Sequence, residues 1–370
     1  MGDIEKIKKA VKKLQETDYQ VRPEDWLSSS STLFNMAASG RPEGAFAVGK
    51  FFWMVGASSA GKTSLSLATL AEACINPRFK EYDLIFNNGE QGALMNIRKF
   101  YGERLYKRLK PPEIRDGEPH NSETLDEWYF HMDTRLSLVE SGKAPPFIEL
   151  LDSMDNLGSN KDREQFKKRK AAAAKPTAKQ PGDYGDGKAG LNSRYLREII
   201  ARLHKTGSIL IVLSQERDNV GGDLFDPKSV AAGGRALKFY ATWQSWQTVG
   251  ASLTREVHGI KRKIGSLSHV AIKKNRLTGK EWAIDIPMYY SYGLDDIGSM
   301  VDFLAKEKYF ETKDKGSTLI VPEFAFVGSK DELAVKVDQN NLKSDLTMMV
   351  VEAWREIEKA CVLERKPRYE

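Results

Sequence analysis

Cysteine is nearly absent from this 370-residue chain, with Cys74 and Cys361 the only two. Two thiols cannot build a disulfide framework or close a four-ligand zinc site, and five scattered histidines form no metal constellation. Long apolar runs are missing as well. No stretch approaches the roughly 18 uncharged apolar residues of a membrane span, and the lysine-rich beginning leads into no apolar segment of the kind a secretory signal needs. The expectation is a cytoplasmic protein with no membrane partner. With 41% hydrophobic and 29% charged residues, the chain can bury an ordinary globular core.

Charge is present in excess of one sign, and unevenly. The net charge is +6, yet residues 295–370 hold 12 basic against 16 acidic side chains, so the positive excess lies upstream. Such a distribution suits a polyanionic partner without proving one.

The most informative stretch is Phe51 to Thr63 (FFWMVGASSAGKT). An apolar strand runs into G-x-x-x-x-G-K-T, and a helix is expected over Thr63 to Cys74. Gly56 and Gly61 let the backbone curl, so that the N–H groups from Ala57, Ser58, Ser59 and Ala60 through Lys62, Thr63 and Ser64 converge at a helix N-terminus. This is a phosphate-binding loop: Lys62 would reach the β and γ phosphates of ATP, and Thr63 would offer its hydroxyl to Mg²⁺.

Three further apolar runs end in polar residues. Tyr82 to Asn88 is followed by Glu90, Phe147 to Leu151 ends in Asp152, and Ser208 to Ser214 ends at Gln215. In an open parallel α/β sheet, ligands gather at the C-terminal strand ends. Asp152 suits the Walker-B role toward Mg²⁺. Glu90 fits a base or orienter for attacking water, with a solvated loop carboxylate as the alternative; Gln215 fits a γ-phosphate sensor. Two long segments lie between these elements. Residues 159–190 read as a loop with eight basic and two acidic side chains between Lys161 and Lys179, either a DNA-contacting element or a solvated insert. Residues 216–234 read as a second, Gly- and Asp-rich loop.

Elsewhere, residues 4–16 place Ile4, Ile7, Val11 and Leu14 on one helical face, and Pro23 with Ser28 to Ser31 reads as a flexible tether behind it. A helix is expected over Leu191 to Lys205, and strands over Trp243 to Val249, His269 to Lys274 and Trp282 to Ile286. Helices over Met300 to Lys306 and Asp345 to Ala360 fall in a more polar C-terminal part. The expected division is an N-terminal oligomerisation arm (1–36), an ATPase core (37–293) that carries the loops 159–190 and 216–234 as DNA-binding segments, and a small C-terminal α/β domain (294–370).

The motif order, together with GGRALKFYA from Gly233 to Ala241, resembles the RecA recombinases, phage RecA/UvsX-like members included. The resemblance runs from about Ser28 to Gly293. It implies a RecA-type P-loop core with a mostly parallel sheet, and an ATP- and Mg²⁺-dependent recombinase that forms a homo-oligomeric helical filament on single-stranded DNA and pairs it with homologous duplex. By the same resemblance Glu90 matches the catalytic glutamate, Asp152-Ser153 the Walker-B pair and Gln215 the sensor. Arg194, Val220, Gly233 and Gly234 fall at DNA-contacting positions, joined by the basic cluster Lys167, Lys168, Arg169 and Lys170. Lys238 and Phe239 fall at the subunit interface, and Lys274 and Arg276 match lysines that reach the neighbour's ATP. The sequence also departs from the pattern: Ile97 stands where the family has an adenine-stacking tyrosine, leaving Phe100 or Tyr101 to replace it, and residues 364–370 are not an acidic tail. Two other readings stay open. One is a DNA-coating filament ATPase without strand exchange. The other is a ring-type DNA helicase, for which the 50 residues before Phe51 leave little room for a primase-interacting domain.

Overall fold

The computed structural model describes residues 22–90, 95–173, 188–218, 229–231 and 234–365. The helix expected over 4–16, Val220, Gly233 and most of the terminal run 364–370 lie outside them.

The core is a ten-stranded sheet. Its strands are β1 (Phe51–Gly56), β2 (Asp83–Asn88), β3 (Leu109–Lys110), β4 (Phe147–Asp152), β5 (Ile209–Asp218), β6 (Ser229–Ala231), β7 (Trp243–Val257), β8 (Ile260–Asn275), β9 (Ala283–Tyr289) and β10 (Gly293–Leu294). The spatial order is β10-β9-β8-β7-β1-β5-β4-β2-β3, with β6 paired to β5. Pairing is parallel from β7 through β3 and antiparallel from β7 to β10. The fold is therefore mixed α/β around a large, mostly parallel sheet of the RecA type. Helices α1 (Thr32–Ser39), α2 (Lys62–Ile75), α3 (Ile97–Arg108), α4 (Leu125–Glu140), α5 (Asn160–Ala173), α6 (Lys188–Thr206), α7 (Arg235–Tyr240), α8 (Asp296–Lys306), α9 (Lys330–Gln339) and α10 (Lys343–Ala360) complete it.

Strand β1 is apolar on both faces because both are covered. Phe52 and Met54 join the core formed with α1, α2 and α8–α10, while Phe51, Trp53 and Val55 pack with α4, α6 and α7. Trp354 of α10 is fully buried, its ring 4.3 Å from Trp282 and 5.6 Å from Phe303.

Several local expectations are corrected. Ser28 to Ser31 is no loose tether: Ser29 and Ser31 are buried, the Ser29 hydroxyl donates to Asn35 Oδ1 at 2.7 Å, and Ser31 caps α1 by accepting the Phe34 N–H. Serine runs read as loops by composition, but their hydroxyls also satisfy the free N–H groups of a helix start. The first half of the basic insert is the helix α5, started by reciprocal bonds between Ser159 and Asp162. Its Glu, Gln, Lys, Arg and Ala content favours helix, yet it has no apolar stripe for periodicity to find. Likewise β5 continues through Gln215 to Asp218 and pairs with β6, so the second loop begins as a strand pair. The strands expected over Trp243 to Val249 and His269 to Lys274 are the buried halves of a long hairpin. Its outer halves are exposed, and His258 and Gly259, at φ 55° and 73°, make the tight turn.

Candidate nucleotide-binding site

At Gly56, at the end of β1, a Cβ would stand 2.0 Å from the Gln247 carbonyl oxygen of β7, so only glycine lets the chain turn away there. Ala57 N–H then donates to that same oxygen at 3.1 Å. Gly61, with φ 92°, turns the loop into α2, whose first residue is Lys62. The result is a concave backbone at a helix N-terminus, with Ser58 and Ser59 exposed on its rim and Ala60 buried beneath. Lys62 Nζ donates to the Gly56 and Ala57 carbonyls at 2.7 and 2.8 Å. Burial pushes its pKa down, opposed by the charges of Asp152 and Glu90.

The strand ends stand level with this loop. Gly56 pairs across with Gln215, and Asn88 with Asp152. Thr63 Oγ1 donates to Asp152 Oδ2 at 2.6 Å. Burial raises the Asp152 pKa, with the Thr63 hydrogen bond working against it and the Glu90 charge adding to it. Glu90 Oε1 accepts from the Ser153 hydroxyl at 2.6 Å and from Gln215 Nε2 at 3.0 Å. The sequence-predicted Glu90, Asp152, Gln215, Lys62 and Thr63 are thus brought into one cluster, in which Glu90 is partly exposed and held by two hydrogen bonds.

The cluster fits a nucleotide with its magnesium ion. A concave backbone at a helix N-terminus and a buried ammonium suit phosphates, although the Ala57 and Ala60 N–H groups, expected to point into the cradle, are bonded to the Gln247 and Ala57 carbonyls; the Thr63 hydroxyl paired with one carboxylate suits a hard cation that keeps much of its water. Beside the loop a cavity of about 240 Å³ is lined by Gly61, Met95, Phe100, Tyr101, Met288 and Tyr290 among others. Phe100 and Tyr101 were anticipated there; Met288 and Tyr290 were not. They come from the β9 end, whose apolar pattern carries no nucleotide motif.

Lys274 and Arg276 do not enter this cluster. Lys274 belongs with the Gln244 and Trp53 level of the sheet, three residues back from Gly56. Its ammonium donates to the carbonyls of Lys238, Phe239 and Ala241 at the end of α7, and Arg276 Nη2 donates to Phe239 O at 2.7 Å. Burial, with Arg276 and Lys238 nearby, lowers the Lys274 pKa to about 8. Phe239 is 62% exposed and lies under the Arg276 guanidinium at 5.5 Å. Lys238 is exposed beside it. Lys167, Lys168, Arg169 and Lys170 are exposed on α5, Arg194 is exposed on α6, and Gly234 precedes α7 at φ 85°.

A protein-family model, the RecA N-terminal domain, matches residues 169–295, a stretch that begins beyond the phosphate loop. The chain is 25% identical over 273 residues to protein RecA of Colwellia psychrerythraea, covering 72% of this chain and 67% of that protein. It is 25% identical over 268 residues to protein RecA of Rhodospirillum rubrum, covering 71% and 62%. A shorter match to protein RecA of Lactiplantibacillus pentosus is 31% identical over 140 residues, 37% of this chain and 36% of the relative. The first two alignments thus span about two thirds of the relatives' own length. In its sheet and along about seven tenths of its sequence the chain is similar to the RecA proteins.

Proposed function

We propose that the protein is a DNA-dependent ATPase and recombinase, which coats single-stranded DNA as a helical filament and pairs it with homologous duplex. The observation that carries this reading is Glu90, whose carboxylate is shared by Ser153 at the Asp152 strand end and by Gln215 at the root of the second loop. That bonding would join a hydrolytic carboxylate to the strand that leads into a DNA-contacting loop.

In this reading the backbone from Gly56 to Ser64 cradles the phosphates of ATP, Lys62 exchanges its carbonyl partners for phosphate oxygens, and Thr63 and Asp152 hold Mg²⁺. The bound ion would neutralise charge on the phosphates. Glu90 orients and accepts a proton from water, and Gln215 senses the terminal phosphate. The cavity bounded by Phe100, Tyr101, Met288 and Tyr290 takes the adenine. Lys274 and Arg276, set back from their own site beside the exposed Phe239, supply charge to the site of a neighbouring subunit. The α5 cluster, Arg194 and Gly234 face DNA, as do Val220 and Gly233.

Electron microscopy with single-stranded DNA and a slowly hydrolysed ATP analogue tests the reading. Open helical filaments are expected, and closed rings would favour a helicase. A joint-molecule assay with homologous and heterologous duplex separates a recombinase from a filament that only coats DNA.

A further inference from the structure

Asp155 lies three residues beyond Asp152, and the reading above gives it no task. Its side chain is 7% exposed. Oδ2 accepts the main-chain N–H of Gln215 at 2.5 Å, and the Asp155 carbonyl accepts from Lys188 Nζ at 2.8 Å. Oδ1 has no hydrogen-bond partner among the described residues, with Arg217 Nη2 at 3.9 Å.

These contacts reach two separate elements. Lys188 is the first residue of α6, where the chain leaves the basic insert; Gln215 and Arg217 are on β5 just before the second loop. The backbone explains why a side chain is needed. Pairing between β4 and β5 ends at Leu151 and Val212, and one more main-chain bond follows, from Met154 N–H to Leu213 O. Past that point β4 makes no further pairing with β5 among the described residues, and the Asp155 carboxylate takes the Gln215 N–H. Gln215 is thereby held twice, by Asp155 through its main chain and by Glu90 through its side chain.

A ladder bond between strands is fixed by both backbones, whereas one made by a carboxylate can rotate away, so release of this part of β5 would leave the β4–β5 ladder intact. A nucleotide that draws on Gln215 favours the held or the released form only if its contacts differ between the two. We propose that Asp155 is a positioning residue that couples nucleotide state to DNA affinity, holding the roots of both DNA-facing segments against the Asp152 strand end. The inference rests on the ATPase and DNA-binding reading.

The test uses the full chain. Affinity for a fluorescent oligo-dT is measured by anisotropy with ATPγS and with ADP, and the ratio of the two dissociation constants is the coupling. Thermal melting and binding of a fluorescent ATP analogue are recorded alongside. Asp155→Ala should lower the coupling about tenfold while still binding the ATP analogue, because a charge-assisted hydrogen bond is lost. Asp155→Asn keeps an oxygen acceptor at the same reach and should restore the coupling to within about threefold of wild type. Unchanged coupling in Asp155→Ala overturns the proposal, as does a lowered melting temperature with intact coupling, the mark of a merely structural cap. Should Asp155→Ala fail to fold, Lys188→Ala takes its place with an expected loss of about threefold, and no loss there overturns the proposal. A wild-type protein whose DNA affinity ignores the nucleotide would overturn the underlying reading first, an outcome distinct from a coupled wild type with an equally coupled variant.

Discussion

Lys274 offers a prediction in which activity and stability move in opposite directions. Its pKa in the folded subunit is lowered from 10.5 to about 8, chiefly by burial. By simple titration about nine in ten of these side chains are charged at pH 7 and about one in ten at pH 9. If the charge acts on a neighbour's phosphates, DNA-stimulated ATP hydrolysis should fall by up to about tenfold across that interval. The neighbour's phosphates pull the pKa back up, so the descending limb moves to higher pH as filaments saturate. Stability runs the other way. A lysine whose folded pKa is depressed opposes folding while charged, fully so below about pH 8, and the opposition fades as pH rises toward 10.5. The assay is phosphate release on oligo-dT at half-pH steps, with urea midpoints over the same range. Lys274→Arg, charged throughout, should lose the alkaline limb whatever its plateau rate. Lys274→Ala should cost on the order of 10³ in turnover, the lower end of the range for cations supplied in trans. Mixing Lys274→Ala with Lys62→Ala protein should restore part of the activity, since some interfaces then hold an intact loop and an intact cation. An unchanged alkaline limb in Lys274→Arg would refute the argument, as would co-assembled mixtures with no recovery.

Glu90→Gln should keep nucleotide binding but lose about 10² to 10⁴ in hydrolysis, since the amide cannot take a proton; ATP-analogue titration and single-turnover rates separate the two. Replacing Lys167, Lys168, Arg169 and Lys170 by alanine should leave single-strand binding mildly weaker and lower duplex capture strongly. The slope of log affinity for duplex against log salt should shrink by up to about 3 to 4, at roughly 0.9 per phosphate contact; equal loss in both modes would reassign α5 to the first strand. Trp354→Ala should cost about 3 to 5 kcal/mol by urea denaturation, because the ring is fully buried between Trp282 and Phe303. Ser31→Ala should cost about 1 kcal/mol by the same measure, since it removes the α1 cap.

The parallel part of the sheet was legible because its strands are short, apolar on both faces and punctuated by polar residues. Glu90, Asp152 and Gln215 could be found by counting from those strand ends. Asp155 escaped notice because its role depends on where β4 stops pairing with β5, a register fact with no local signature. Helix α5 was hidden by its lack of an apolar stripe, and the outer hairpin by exposure on both faces, which erases alternation. Met288 and Tyr290 reach the cavity beside the phosphate loop through the antiparallel pairing of β7, β8 and β9, a long-range consequence that short motifs do not encode.

Helix α7 is six residues long, about 9 Å from end to end, too short to bend. One end follows Gly234 beside the second loop, and the other is gripped through its last carbonyls by Lys274 and Arg276. It behaves as a rigid crank. Any tilt imposed at the loop end must reappear at the gripped end, where the two cations either follow it or let go. Under the proposed function, the two cations would sit at the far end of the helix that follows the second loop, so that a rotation begun at the loop would reach the charges meant for the next subunit.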